Sequence, residues 1–197
     1  MRPKSFNEND ALYAIEETFR RVGYDGASLD VLTRATGLNR SSLYNAFGCK
    51  NDMMRRAVET YTERSCDTIV GALRRRPLRA ALQDFLRTCV EPGLAGCLLG
   101  NLVAERADAE ASDREFLAAR MVEVEDTFVA ALNAAVADGE IAPGTDTAQL
   151  GRYVMTTAQG LRIMALARPD AALFEKVIET VLGAIPFTER EAAVAAL

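Results

Sequence analysis

Between residues 8 and 22, Leu12, Ile15, Phe19 and Val22 fall at steps of three and four, which is one apolar stripe along a helix. Gly23 and Gly26 stop it. Residues 29 to 50 carry a denser pattern that predicts two short helices joined by a tight turn at Gly37. Leu29, Leu32, Ala35, Leu38, Leu43 and Phe47 gather on one buried side, leaving Arg40, Ser41, Ser42, Tyr44 and Asn45 pointing outward. Ser28 suits the N-cap of the first of these helices, which ends near Thr36, and Asp30 lies in its first turn, where the helix dipole favours an anion. Asn39 suits the N-cap of the next, residues 40 to 46. This is the layout of a helix-turn-helix, whose second helix enters a DNA major groove.

A fourth helix is predicted over residues 50–75, with Met54, Val58, Tyr61, Ile69 and Leu73 on its buried side. Its last turn holds Arg74, Arg75 and Arg76, followed by Pro77. A cationic run there complements the C-terminal dipole and proline ends the helix, which explains it without a second DNA-contact patch. Beyond Pro77 the composition turns Ala/Leu/Val-rich and acidic, marking a second domain with helices near 78–91, 97–108, 113–138, 147–168 and 170–185. Ser112-Asp113-Arg114-Glu115 reads as a capping box and Asp146-Thr147-Ala148-Gln149 resembles one. Gly139 and Pro169 punctuate helix ends, and residues 186–197 form a short, weakly helical tail. The division is thus 1–50 for a helix-turn-helix domain and 51–197 for a larger helical domain, linked by the fourth helix.

The last two helices are apolar over more than one stripe. Leu150, Tyr153, Val154, Leu161, Ile163, Met164 and Leu166 cover a wide arc, and so do Leu173, Phe174, Val177, Ile178, Val181, Leu182 and Ile185. A surface helix needs only about 100° of apolar arc, so the surplus predicts a homodimer pairing helices 147–168 and 170–185 with their copies.

Composition fits this all-α reading. The 197 residues are 49% hydrophobic with only 6 Pro and 13 Gly, few for a turn-rich β protein. The net charge is −5, but residues 1–56 carry 9 Lys+Arg against 7 Asp+Glu, a local +2, while the remainder is −7. The first quarter is therefore the candidate nucleic-acid face. No apolar run approaches a membrane span and no apolar stretch follows Met1-Arg2-Pro3-Lys4-Ser5, so a cytoplasmic location with no membrane partner is expected. Cys49, Cys66, Cys89 and Cys97 lack C-x-x-C spacing, which predicts reduced thiols and no metal or other cofactor. There is no histidine, which removes Ser/His and Cys/His catalytic arrangements.

Phe19, Gly23-Tyr24, Ser28-Leu29, Ala35, Gly37-Leu38, Arg40-Ser41-Ser42-Leu43-Tyr44, Phe47-Gly48 and Lys50 stand in an order and spacing that resembles the tetracycline-repressor family of bacterial regulators. The resemblance covers roughly residues 8–60. It implies a nine-helix, two-domain dimer that binds a palindromic double-stranded operator, with a small-molecule effector pocket in the C-terminal domain and repression relieved on effector binding. It implies a DNA-facing set of Ser28, Thr33, Arg40, Ser41, Ser42, Tyr44, Asn45 and Lys50. Chemistry supports those roles separately: Arg reads guanine, Asn reads adenine, hydroxyls meet phosphate, and Lys50 adds charge to a helix N-terminus. Two positions depart from the family pattern, Ala46 where histidine is common and Cys49 before Lys50.

For the effector domain, Cys97, Asn101, Phe116, Met121, Phe128, Met155 and Gln159 are the expected pocket residues. The stretch from Gly93 to Asn101 looks like the Gly-Cys-Leu sequence of a family branch that includes regulators responding to electrophiles. Cys97 at a helix start is either an activated thiolate or a small buried apolar residue, and Cys49 is the second redox candidate. Two other functions compete with a regulator: a helical adaptor that has lost DNA recognition, and a Cys-dependent enzyme working without histidine. For the enzyme, no arrangement in the sequence indicates a base, so none is expected.

Overall fold

Nine α-helices succeed one another through the residues described in the computed structural model, which are 6–91, 96–168 and 170–188. They are α1 (Glu8–Gly26), α2 (Leu29–Thr36), α3 (Arg40–Phe47), α4 (Lys50–Leu73), α5 (Leu78–Thr88), α6 (Leu98–Glu105), α7 (Ala111–Ala137), α8 (Thr147–Ala167) and α9 (Ala171–Gly183). The all-α class read from the sequence holds among these residues. Side-chain caps set many of the starts: Asn7, Ser28, Asn39, Asp146 and Asp170 each accept a hydrogen bond from a first-turn backbone N–H.

Several boundaries differ from the sequence pattern, each for a local reason. α1 does not stop at Gly23 but breaks there, with φ 72° and ψ −178°, and resumes to Gly26. The capping box expected at Ser112–Glu115 is not a helix start, because α7 already begins at Ala111 and Asp113 is buried against other helices. α4 ends at Leu73, two residues before the expected limit. Arg74, Arg75 and Arg76 therefore lie past it. Arg76 donates to the Leu73 carbonyl at 2.8 Å, pairs with Glu140 and reaches Asp138 at 2.8 Å, while Arg75 meets Asp84 at 2.9 Å. The tail is not helical where it is described: Phe187 bridges to Ile141 and the Ala142 N–H donates to the Pro186 carbonyl at 2.9 Å. Residues 189–197 and Pro169 lie outside the described residues.

The chain packs as two compact units. One comprises the described residues of Met1–Glu63 and Cys97–Arg120. Ile15, Phe19, Leu32, Leu43, Phe47, Met53, Met54, Ala57, Val58, Leu98, Leu99, Leu102 and Leu117 are among its buried apolar residues. Val22 and Ala35, expected inside, are exposed, Val22 directly before the break at Gly23 and Ala35 in the last turn of the eight-residue α2. Arg56 ties three elements together: it donates to the Ala46 carbonyl and to Glu8, each at 2.8 Å, and lies 4.8 Å over the Phe47 ring. Asp113 does the same from α7. Its carboxylate accepts from Asn51 at 3.0 Å, Arg55 at 2.8 Å and Arg106 at 2.6 Å. Burial pushes the Asp113 carboxyl up, but the hydrogen bonds from Asn51, Arg106 and Arg55 outweigh burial and hold it below the ordinary aspartate value.

The other unit comprises the described residues of Arg64–Gly96 and of Met121–Leu197. α9 packs on α5 and α8. Phe85 meets Phe128 edge-on at 5.6 Å, and the forked pair of Arg87 with Glu175, at 2.7 and 2.9 Å, joins α5 to α9. Gly151 lets α8 approach α7: a methyl group there would stand 2.8 Å from Val129 Cγ2 and 3.3 Å from its backbone nitrogen.

Candidate nucleic-acid interface

Two capped helix starts and one left-handed glycine shape the surface of α2 and α3. Ser28 Oγ accepts from the Val31 N–H at 3.3 Å, and Asn39 Oδ1 accepts from the Ser42 N–H at 2.8 Å. Between them Gly37 adopts φ 68° and ψ 8°, a conformation that a side chain makes unfavourable by roughly 1–2 kcal/mol. Thr36 closes the turn, donating to the Leu32 carbonyl at 2.8 Å and accepting from the Leu38 N–H at 3.3 Å. Burial of Leu32, Leu43 and Phe47 then fixes which faces of α2 and α3 look outward.

That outward face carries most of the predicted set. Arg40, Ser41, Tyr44 and Asn45 are exposed along α3, and Ser42, whose backbone N–H donates to Asn39, is half-buried. Asn45 reaches Ser41 Oγ at 3.5 Å, one turn back along the same face. Ser28 is exposed at the start of α2, and Thr33, half-buried on α2, donates to the Asp30 carbonyl at 3.1 Å. Arg40 is not free-standing: its Nη2 is 2.6 Å from Asp30 Oδ1, with both side chains about two-thirds exposed, at 64% and 69%. The Arg40 hydrogen bond and charge hold the Asp30 carboxyl below its ordinary value.

Lys50 stands differently from the others. Its ammonium lies 4.4 Å over the Tyr24 ring, half-buried, and burial lowers its pKa against the opposing pull of Asp25 and Glu105. On the same ring Arg106 sits at 4.1 Å. The α1 break is held by α6: Glu105 accepts from the Tyr24 N–H at 2.7 Å and the Asp25 N–H at 2.9 Å. Glycine suits position 23 because its backbone, at φ 72° and ψ −178°, is one that side chains rarely adopt; a Cβ there would also stand 2.6 Å from the end of the Glu105 carboxylate, which would have to move.

Cys49 precedes α4, and a thiol caps helices weakly. Asp52 does this work instead, accepting from the Cys49 N–H at 2.8 Å, the reach-back half of a capping box. The roles of Asp52, Glu105 and Asp30 escape sequence reading. An Asp three residues into α4 is a usable local signal for the first, but Glu105 depends on partners 80 and 81 positions away and Asp30 on one 10 positions away.

The expected effector residues divide between the two units. Cys97, Asn101 and Phe116 belong to the first, and Met121, Phe128, Met155 and Gln159 to the second. Cys97 is buried and caps α6, its Sγ accepting from the Gly100 N–H and from the Tyr61 hydroxyl, each at 3.4 Å. Phe116 lies under the Arg55 guanidinium at 4.6 Å, and Phe128 is core against Phe85. Met155 is buried, whereas Asn101, Met121 and Gln159 are half-buried. Residues 93–95 of the Gly-Cys-Leu stretch lie outside the described residues. Cys49 is exposed and Cys97 is not.

Residues 71–181, more than half of the chain, match the family model described as the tetracyclin repressor-like C-terminal domain. Among curated proteins, the chain is 27% identical over 176 residues to the HTH-type transcriptional regulator YezE of Bacillus subtilis, covering 86% of this chain and 91% of YezE. It is 27% identical over 185 residues to the HTH-type transcriptional repressor ComR of Escherichia coli, covering 90% and 87%. Among solved structures, it superposes with a TM-score of 0.80 and 28% identity on the TetR-family regulator CifR, in a cysteine-substituted form complexed with 26-bp operator DNA, over 94% of this chain and all of that one. The reduced form of E. coli NemR has a TM-score of 0.81 at 16% identity, a likeness of fold. On the strength of the match over residues 71–181, this chain belongs to the tetracyclin repressor-like family.

Proposed function

We propose that this protein is a sequence-specific, operator-binding transcriptional repressor. The observation that carries the reading is the outward row of Arg40, Ser41, Tyr44 and Asn45 on α3, presented by a capped helix-turn-helix in a chain alike over its length to a regulator complexed with operator DNA. Ser28, Thr33 and Ser42 flank that row toward phosphates, and Lys50 contributes charge from the start of α4. Residues 1–50 read the DNA, and residues 51–197 carry effector binding and dimerisation. As such a regulator it works in the cytoplasm beside its DNA.

A homodimer through α8 and α9 completes the reading. Ile163 and Leu166 are 61% and 58% exposed, with Tyr153, Met164, Leu173 and Val177 exposed beside them on the same two helices. Apolar surface of that extent on adjacent helices is stabilised by a second copy, and a two-fold dimer presents α3 to two half-sites about one helical turn apart. A small-molecule effector that binds the larger domain and weakens DNA affinity is part of the same proposal, resting on the family.

A gel shift against the DNA upstream of the protein's own gene tests the reading. Retardation of a palindromic segment, with affinity falling linearly in logarithmic salt, is expected. Lys50→Ala weakens all sequences comparably, while Arg40→Ala erodes discrimination among them. Equal affinity for operator and scrambled duplex at physiological salt refutes the proposal.

A further inference from the structure

A carboxylate on a surface meant for a polyanion needs a reason to be there. Asp30 occupies the first turn of α2, exposed, on the same face as the outward row of α3. It repels phosphate, and its favourable place at the positive end of α2 is available equally to a side chain facing away from DNA. Its carboxylate accepts a hydrogen bond from Arg40, ten residues on, at 2.6 Å. Arg40 is itself the first residue of α3, where the helix dipole disfavours a cation. The Asp30 carboxylate offsets that unfavourable field from across the turn. Both ends of the pair are held: Ser28 caps α2 and Asn39 caps α3, so the backbones that carry Asp30 and Arg40 are fixed relative to each other through Gly37.

We propose that Asp30 is a specificity-determining residue of the DNA-reading surface, its carboxylate holding the Arg40 guanidinium in the orientation from which it meets a base edge. The inference rests on the reading of α3 as the DNA-reading helix. A guanidinium has five N–H donors, so one bond to Asp30 leaves a second edge for a guanine. In the free protein the pair is solvated and contributes little to stability. Under a bound duplex water leaves, the pair strengthens, and Arg40 reaches the groove with fewer rotamers to lose. Asp30 also weakens attachment to phosphate generally, so it favours the right sequence partly by disfavouring all others.

The test is selection from a pool of randomised duplex DNA by the full-length wild type, Asp30→Asn, Arg40→Ala and the double variant. Anisotropy titrations follow with the selected site and its single-base variants. Thermal melts establish that Asp30→Asn folds as the wild type does, as its exposure predicts. The wild type is expected to enrich a two-fold symmetric site, and Arg40→Ala to lose preference at one symmetric pair of positions. Asp30→Asn should lose preference at that same pair by roughly 5-fold or more, the lower end of what a bidentate arginine–guanine pair supplies, while binding scrambled duplex more tightly. The double variant should be no less selective than Arg40→Ala alone. If Asp30→Asn keeps discrimination at the Arg40 positions within about twofold, or tightens all sequences equally, the inference is overturned alone. A wild type that enriches no sequence overturns the DNA-binding reading and this inference with it.

Discussion

Replacing Asp113 probes how the first compact unit is held together. Its side chain is only 4% exposed and accepts from Asn51, Arg55 and Arg106, and the two arginine side chains are themselves mostly covered, at 30% and 20% exposure. Asp113→Ala leaves two partly buried cations without their carboxylate, and removing one partner of a buried ion pair costs about 3–5 kcal/mol. Asp113→Asn keeps the shape and one acceptor but loses the charge, so its cost is smaller. The carboxyl is held below its ordinary value in the folded chain, so its contribution to stability is fully present above the unfolded aspartate pKa of about 3.9 and is lost as pH falls through the lower folded value. Urea denaturation followed by circular dichroism, from pH 7 down to about pH 3, measures both effects. The gap between wild type and Asp113→Asn should be widest near neutrality and should narrow on acidification. An Asp113→Asn protein that matches the wild type within about 0.5 kcal/mol at pH 7, with a parallel pH profile, would refute the idea that this carboxylate holds α4, α6 and α7 together.

Other substitutions address single contacts. Gly151→Ala forces α8 away from Val129 and is expected to cost about 1–3 kcal/mol in a denaturation experiment, the range for overpacking; no change would mean that α7 yields freely there. Asp52→Ala removes the cap of α4 and should lower stability by about 1 kcal/mol, with Asp52→Glu restoring part of it. With a thiol alkylating reagent followed by mass spectrometry, exposed Cys49 should be modified before buried Cys89 and Cys97 in the folded protein. Faster modification at Cys97 would instead favour the reading of that residue as a reactive sensor.

Helix placement, the helix-turn-helix and the outward row of α3 were legible in the sequence because their causes are local. Caps act over three residues, apolar periodicity over one or two turns, and the Gly37 turn over four positions, so Ser28, Asn39 and Asp146 announce their helices wherever the chain goes. The family resemblance added the expected roles of the α3 side chains, which periodicity alone does not supply.

Tertiary structure decided what those side chains do when distant residues arrive. Ser112–Glu115 has the pattern of a capping box, yet Asp113 spends its charge on Arg55 and Arg106, partners that no local rule connects to it. Gly23 reads as a helix stop, but the fold makes it a positive-φ break inside α1, whose next two backbone N–H groups donate to Glu105. Lys50 reads as a free cation but lies over Tyr24, and Asp30 reads as a dipole anion but grips Arg40. The division follows from range: hydrogen bonds within a turn are set by neighbours in sequence, whereas charge pairing and desolvation depend on which atoms the fold brings within a few ångströms.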